Sequence, residues 1–141
     1  MALCSTGNEA SLMKTQYQLF IEGIPKAQPR PRLANNGKVF NPHSADAWKH
    51  QIIAAFLDCR RETITTPVRL NIQFYFPAPK EMEITEDVPH DKKPDTDNLE
   101  KAVMDAITNA GIWKDDAQVY DSHSIKMYTR GKTGARIKIE A

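Results

Sequence analysis

The run Val68-Arg-Leu-Asn-Ile-Gln-Phe-Tyr-Phe76 has an apolar residue at every second position without a break. Successive side chains of an extended chain point to opposite faces. The pattern therefore requires a strand that sends Val68, Leu70, Ile72, Phe74 and Phe76 into a core and turns Arg69, Asn71, Gln73 and Tyr75 the other way. Pro77 and Pro79 end it, because proline cannot donate to a strand ladder. A strand apolar on one face is not stable alone, so the rest of the chain has to supply neighbouring strands and a covering layer.

Two helical patterns can supply that layer. Trp48, Ile52, Ala55, Phe56 and Cys59 follow the helical period after Ser44, which is placed to cap the first helix, with Asp46 near the positive end of its dipole. Leu99, Ala102, Val103, Ala106, Ile107 and Ala110 form a second stripe, and Gly111 can take the left-handed turn that stops it. Tyr17, Leu19 and Ile21 alternate before Gly23, which predicts an earlier strand. Val119 to Thr129 and Ala135 to Glu140 read as a hairpin around Gly131-Lys-Thr-Gly134. In that hairpin Ile125, Met127, Ile137 and Ile139 share the buried face, and Lys126, Tyr128, Arg130, Arg136 and Lys138 share a basic one. The expected fold is α+β, a mixed sheet of roughly four strands packed with two main helices in the order β-α-β-α-β-β. Residues 1 to 14 lack periodicity and read as a mobile tail, leaving 15 to 141 as a single domain.

Charge narrows the chemistry. The net charge is +1, so a nucleic-acid partner has to be met by local basic surface. Such a surface is offered by Pro25 to Lys38, where three prolines stiffen a loop bearing Lys26, Arg30, Arg32 and Lys38. That loop reads equally well as a solvated linker. Lys80 to Lys93 is charged and unpatterned, which predicts an exposed loop. The two cysteines form neither a disulfide framework nor a zinc ligand set, which suits a reducing cytoplasm. No apolar run approaches membrane length, and a signal peptide is not expected.

The chemistry concentrates around the second helix. Asp95 and Asp97 precede or open it, Lys101 lies on its first turn, and Asp115-Asp116 follows it. At about 100° per residue, Asp97, Lys101, Asp105 and Thr108 project opposite the core stripe. Hard divalent cations such as Mg²⁺ take carboxylate, water and phosphate oxygens, and paired aspartates at a helix start can supply them. Asp115-Asp116 can join only if the chain doubles back, since a straight helix would carry it roughly 20 Å away. Each piece has an ordinary structural explanation as well. Asp97 with Glu100 fits a capping box, Lys101 fits a surface ion pair, and Asp115-Asp116 fits a turn. An EF-hand is excluded because Leu99 and Glu100 stand where its fifth ligand and its glycine belong. No glycine-rich phosphate loop or zinc spacing appears.

Pro94-Asp-Thr-Asp-Asn-Leu-Glu-Lys-Ala-Val-Met-Asp-Ala106 followed by Gly111-Ile-Trp-Lys-Asp-Asp-Ala-Gln118 resembles the signature of the RusA-type Holliday junction resolvases, small homodimeric endodeoxyribonucleases of bacteria and their phages. Gly23-Ile-Pro25 with its basic continuation, the first helix and Lys126 extend the resemblance more weakly. The loop 80 to 93 is longer than is usual in that family, and the stretch before Asp95 is less basic.

The resemblance implies that Asp95, Asp97 and Asp116 hold metal, with Asp115 as the other member of the acidic pair, and that Lys101 is catalytic. It implies Mg²⁺, with Mn²⁺ as a substitute, no small-molecule cofactor, and a cytoplasmic homodimer that resolves four-way DNA junctions by paired symmetric nicks. DNA contacts are expected from Lys26, Arg30, Arg32, Lys126 and Arg130. The alternatives are a nuclease for other branched DNA and a non-catalytic DNA-binding module of the same fold.

Overall fold

The computed structural model describes residues 13–40 and 43–141. The expected tail therefore lies outside the described residues up to residue 12. Lys14 belongs to the fold: it exchanges backbone hydrogen bonds of 3.0 Å with Ala141 in both directions.

Among the described residues, seven strands, two helices and one 3₁₀ turn follow one another: β1 (Thr15–Glu22), β2 (Arg32–Leu33), β3 (Val39–Phe40), α1 (Asp46–Cys59), β4 (Val68–Pro77), β5 (Val88–Pro89), α2 (Thr96–Asn109), the 3₁₀ turn (Asp116–Gln118), β6 (Val119–Thr129) and β7 (Gly134–Glu140). The long elements keep the expected β-α-β-α-β-β order. The main sheet has five strands in the order β1-β7-β4-β6-β5, and β2 with β3 forms a separate ribbon.

β4 is central, as its alternation requires, with β7 antiparallel on one side and β6 parallel on the other. Parallel neighbours need a long crossover, and α2 supplies it. Val68, Leu70, Ile72 and Phe74 are fully buried, in one cluster with Ile52 and Phe56 of α1 and Leu99, Val103 and Ile107 of α2. Each large aliphatic or aromatic side chain in that layer contributes about 1.5–3 kcal/mol relative to exposure.

The expected hairpin of β6 and β7 does not form. The two strands flank β4, and the chain between them passes the end of β4. Lys126 and Tyr128 are in register with Phe74 and Phe76, on the helix side, while Ile125 and Met127 align with Gln73 and Tyr75 on the other. Ile137 pairs with Ile72 and stays in the core. The expected basic face is therefore split, with Lys126 and Tyr128 opposite Arg136 and Lys138. The physical reason lies in β6: the residues it turns toward α2, Ser122, Ser124 and Lys126, make polar links rather than apolar packing. Its apolar alternation therefore runs on the side away from the helices.

One smaller expectation is also corrected and another is refined. α1 begins after Ala45 without a side-chain cap, and Asp46 is instead held by the His43 ring at 2.9 Å, so Ser44 is not the cap. The loop 80 to 93 is mostly exposed, as expected, but Met82, Ile84 and Val88 pack against the core. Val88 and Pro89 then pair with Tyr128 and Met127 of β6, and His90 is buried.

Gly134 opens β7 at φ +150, and a Cβ there would stand 2.1 Å from the Ile21 carbonyl oxygen of β1. Neither backbone can yield without breaking the β1–β7 ladder. Gly134→Ala is expected to lower stability by about 2–3 kcal/mol, read as a fall in urea midpoint at constant m.

Candidate active site

Asp95 precedes α2 in extended conformation (φ −73, ψ 147), and its carboxylate makes no capping hydrogen bond. The capping box of Asp97 and Glu100 is absent. Asp97 Oδ1 accepts the Asn98 N–H at 2.8 Å, while Glu100 accepts the hydroxyls of Ser122 (3.2 Å) and Ser124 (2.6 Å) on β6. Asp95, just before the helix, and Asp97, on its first turn, are both exposed, with Lys93 Nζ 3.9 Å from Asp95. The core stripe of α2 is fully buried from Leu99 to Ile107, so Lys101 is carried on the open side.

The chain then reverses after Gly111. Gly111 takes φ +76, its N–H bonds Thr108 O at 3.0 Å, and Ile112 N–H reaches back to Ile107 O at 3.3 Å. Thr63 Oγ1 donates to Gly111 O at 3.0 Å, and Arg60 approaches the same oxygen at 3.4 Å. Trp113 is buried, with Nε1 donating to Thr108 Oγ1 at 2.7 Å. The capping box of this region sits on the second acidic pair: Asp115 Oδ1 accepts Ala117 N–H at 2.9 Å, and Gln118 Oε1 accepts Asp115 N–H at 3.1 Å.

β6 therefore runs back along α2. Asp116 lies within electrostatic reach of Lys101 and Asp105, Ser122 and Ser124 meet Glu100, and Lys126 Nζ reaches Pro94 O at 2.6 Å. The adjacent Asp115 and Asp116 carboxyls shift each other's ionisation in opposite directions. Asp115 is held below the usual carboxylate range by the Ala117 N–H and then by Asp116. Asp116 is pushed up first by the neighbouring Asp115 carboxyl and then by burial, with Lys101 opposing the rise. Two carboxylates this close disfavour joint ionisation, and a cation beside them would relieve that.

Asp116 follows the reversal after α2 and feels the charges of Lys101 and Asp105, with Asp115 next to it in the chain. Asp95 and Asp97 stand at the start of the same helix. Among the described residues, no three metal-ligating side chains converge on one point. The donors are all carboxylate oxygens, which fit a hard divalent cation and not a soft one. Asp105 and Lys49 are additions to the predicted set. Lys49 Nζ is 3.8 Å from Asp105 and donates to Gln28 Oε1 at 2.9 Å. Asp105 was legible as part of the outward face of α2, whereas nothing in the sequence joined Lys49 to it.

The basic residues divide into two groups. Lys26, Arg30 and Arg32 are exposed, and the loop that carries them is anchored on α2 by Gln28 N–H to Asn98 O at 2.9 Å. Lys126 and Arg130 have internal partners. Arg130 donates to the carbonyls of Ala78 (2.9 Å), Pro79 (2.8 Å) and Met82. Lys126 Nζ holds the carbonyls of Lys92 and Pro94, on either side of Lys93. His90 completes this strap: its Nδ1 accepts Lys92 N–H at 3.0 Å, and its ring stacks on Tyr128 at 4.1 Å and meets the Phe76 ring edge-on at 4.8 Å. Burial, and then the charge of Lys126, lower the His90 pKa below its ordinary value, so the ring stays neutral and able to accept. The segment that ends at Asp95 is in this way fastened to β6 along its length.

Comparison with known proteins identifies the family. The family model for endodeoxyribonuclease RusA matches residues 22–140. The crossover junction endodeoxyribonuclease RusA of Aquifex aeolicus is 29% identical over 128 residues, covering 88% of this chain and 90% of the relative. An uncharacterized Bacillus subtilis protein, YqaN, is 34% identical over 122 residues, covering 77% of this chain and 85% of its own. The Escherichia coli K12 crossover junction endodeoxyribonuclease RusA is 47% identical over 49 residues, 35% of this chain and 41% of the relative. No described helix is long and apolar enough to cross a membrane. With the family model covering nearly the whole fold and both acidic pairs, the chain belongs to the RusA family of endodeoxyribonucleases.

Proposed function

We propose that this chain is a Mg²⁺-dependent resolvase of four-way DNA junctions, working as a two-fold dimer. The reading is supported above all by the reversal after Gly111, which leads the chain through Asp116 into a strand linked to α2, and by the effect of the Lys101 charge on Asp116. The names of the Aquifex aeolicus and Escherichia coli relatives supply the substrate class.

Asp95, Asp97 and Asp116 would hold the ion, with Asp115 partly committed to its own turn. A bound Mg²⁺ lowers the pKa of a coordinated water and stabilises negative charge on phosphoryl oxygens. Around it the chain's own groups divide the work. Lys101, on the open face of α2, contacts the scissile phosphate and offsets its charge. Lys26, Arg30 and Arg32 grip the neighbouring backbone, each neutralising a phosphate. The strap from Val88 to Pro94 holds Asp95 at the helix start. A dimer presents the same site twice about a two-fold axis, and paired symmetric nicks follow from that symmetry.

The direct test compares four-way, three-way and linear DNA at one salt concentration, with Mg²⁺ and with a chelator. The reading expects cleavage of the four-way junction alone, lost with the chelator and restored by Mg²⁺ or Mn²⁺. Equal cleavage of three-way and linear DNA, or cleavage indifferent to the chelator, would overturn it.

A further inference from the structure

Leu33 and Val39 are the most exposed large apolar side chains among the described residues, at 72% and 66%. They are direct cross-strand partners in the β2–β3 ribbon, so both project from one face of it. The ribbon is closed by Ala34 N–H to Lys38 O (2.7 Å) and Gly37 N–H to Ala34 O (2.9 Å), and it pairs with no strand of the main sheet. A two-stranded ribbon with an uncovered apolar pair is costly in water unless something covers it.

Charge identifies the cover. From Gly23 to Ala45 there is no acidic residue, while Lys26, Arg30, Arg32 and Lys38 are all cationic. None of the four forms an ion pair among the described residues. A second copy laid on this ribbon would bring four unpaired cations against four more. A polyanion with apolar surfaces between its charges satisfies both features at once, and DNA bases between phosphates are such a surface.

We propose that the Leu33–Val39 pair is a wedge that stacks against unpaired or unstacked bases at a DNA branch point, and that it supplies the preference for junctions over linear duplex. The inference rests on the junction reading above and adds a residue-level origin for its selectivity. In continuous duplex an apolar wedge must first pry open a stacked base step, whereas at a branch point the stack is already interrupted. The same two side chains thus gain at a junction what they lose on a duplex.

The anchor fits the role. Gln28 N–H bonds Asn98 O at 2.9 Å, one residue from Asp97, and Lys49 holds the Gln28 side chain at 2.9 Å. From Gln28 to the turn at Asn36 the chain reaches at most roughly 29 Å. The wedge therefore works at a limited distance from the acidic site and sets which phosphate lies near Asp97.

The test uses the full chain and a four-way junction with 2-aminopurine at the branch point, in Ca²⁺ to prevent turnover. The wild type is expected to change the probe's fluorescence on binding and to bind the junction in preference to duplex. The double variant Leu33→Ser, Val39→Ser is expected to lose that fluorescence change and to lower the junction-to-duplex affinity ratio about tenfold. Its melting temperature and the salt slope of binding should be unchanged, because both side chains are exposed and every cation is kept. Unaltered fluorescence and selectivity in the double variant would overturn the wedge while leaving junction cleavage intact. Loss of a dimer on sedimentation, with DNA selectivity unchanged, would overturn it in favour of an interface between copies. A wild type with no junction preference would instead remove the functional reading beneath it.

Discussion

Asp97→Asn is expected to abolish Mg²⁺-supported junction cleavage while leaving junction binding and the melting temperature near their wild-type values. The side chain is exposed, it caps nothing, and its Oδ1 contact to the Asn98 N–H is available to asparagine as well. What the substitution removes is one negative charge and one oxygen donor at the helix start. Losing a preorganised electrostatic group of this kind costs on the order of 10²- to 10³-fold in kcat. Single-turnover cleavage and a binding titration on the same junction check the two halves. Cleavage within a few-fold of wild type would remove Asp97 from the site and take the proposed mechanism with it.

Lys126→Met is expected to reduce kcat by about 10- to 100-fold, the scale at which groups that orient metal ligands act. Its expected effect on binding distinguishes two roles. A lysine that contacts phosphate would, when removed, weaken binding to all DNA and lower the salt slope by about one. Lys126 instead spends its ammonium on the carbonyls of Lys92 and Pro94, so the slope and the affinity should stay as they are. The Mg²⁺ concentration for half-maximal cleavage should rise, because the segment leading to Asp95 is no longer fastened to β6. Hydrogen exchange of residues 88 to 95 without metal should rise as well, a readout that needs no turnover. A salt slope reduced by one with protection unchanged would return Lys126 to the DNA-contacting set.

Lys126 also marks where sequence reasoning stopped. The alternation of β4 and the apolar stripe of α2 were readable directly, because each depends on a local period that repeats several times. The outward position of Lys101 followed from the same arithmetic. β6 resisted it. Its inward residues are Ser122, Ser124 and Lys126, chosen to bind Glu100 and two loop carbonyls, so its apolar phase pointed to the wrong face and suggested a hairpin that does not exist. The spacing of a capping box was likewise no guarantee of one. Asp97 and Glu100 have the spacing, but Glu100 is taken by β6, and the box forms at Asp115 and Gln118.

By itself, then, the sequence determined the elements: a central strand, a helix with one apolar and one charged side, and the residue types a hard cation and a phosphate call for. Those are consequences of periodicity and of side-chain chemistry, which a chain carries wherever it is folded. Only the tertiary structure decided the neighbours. It placed β7 rather than β6 beside β1, tied Lys126 and Arg130 to loop carbonyls, and left Leu33 and Val39 uncovered on a cationic ribbon. Partners distant in sequence are selected by competition among all possible contacts, and no local period records who wins.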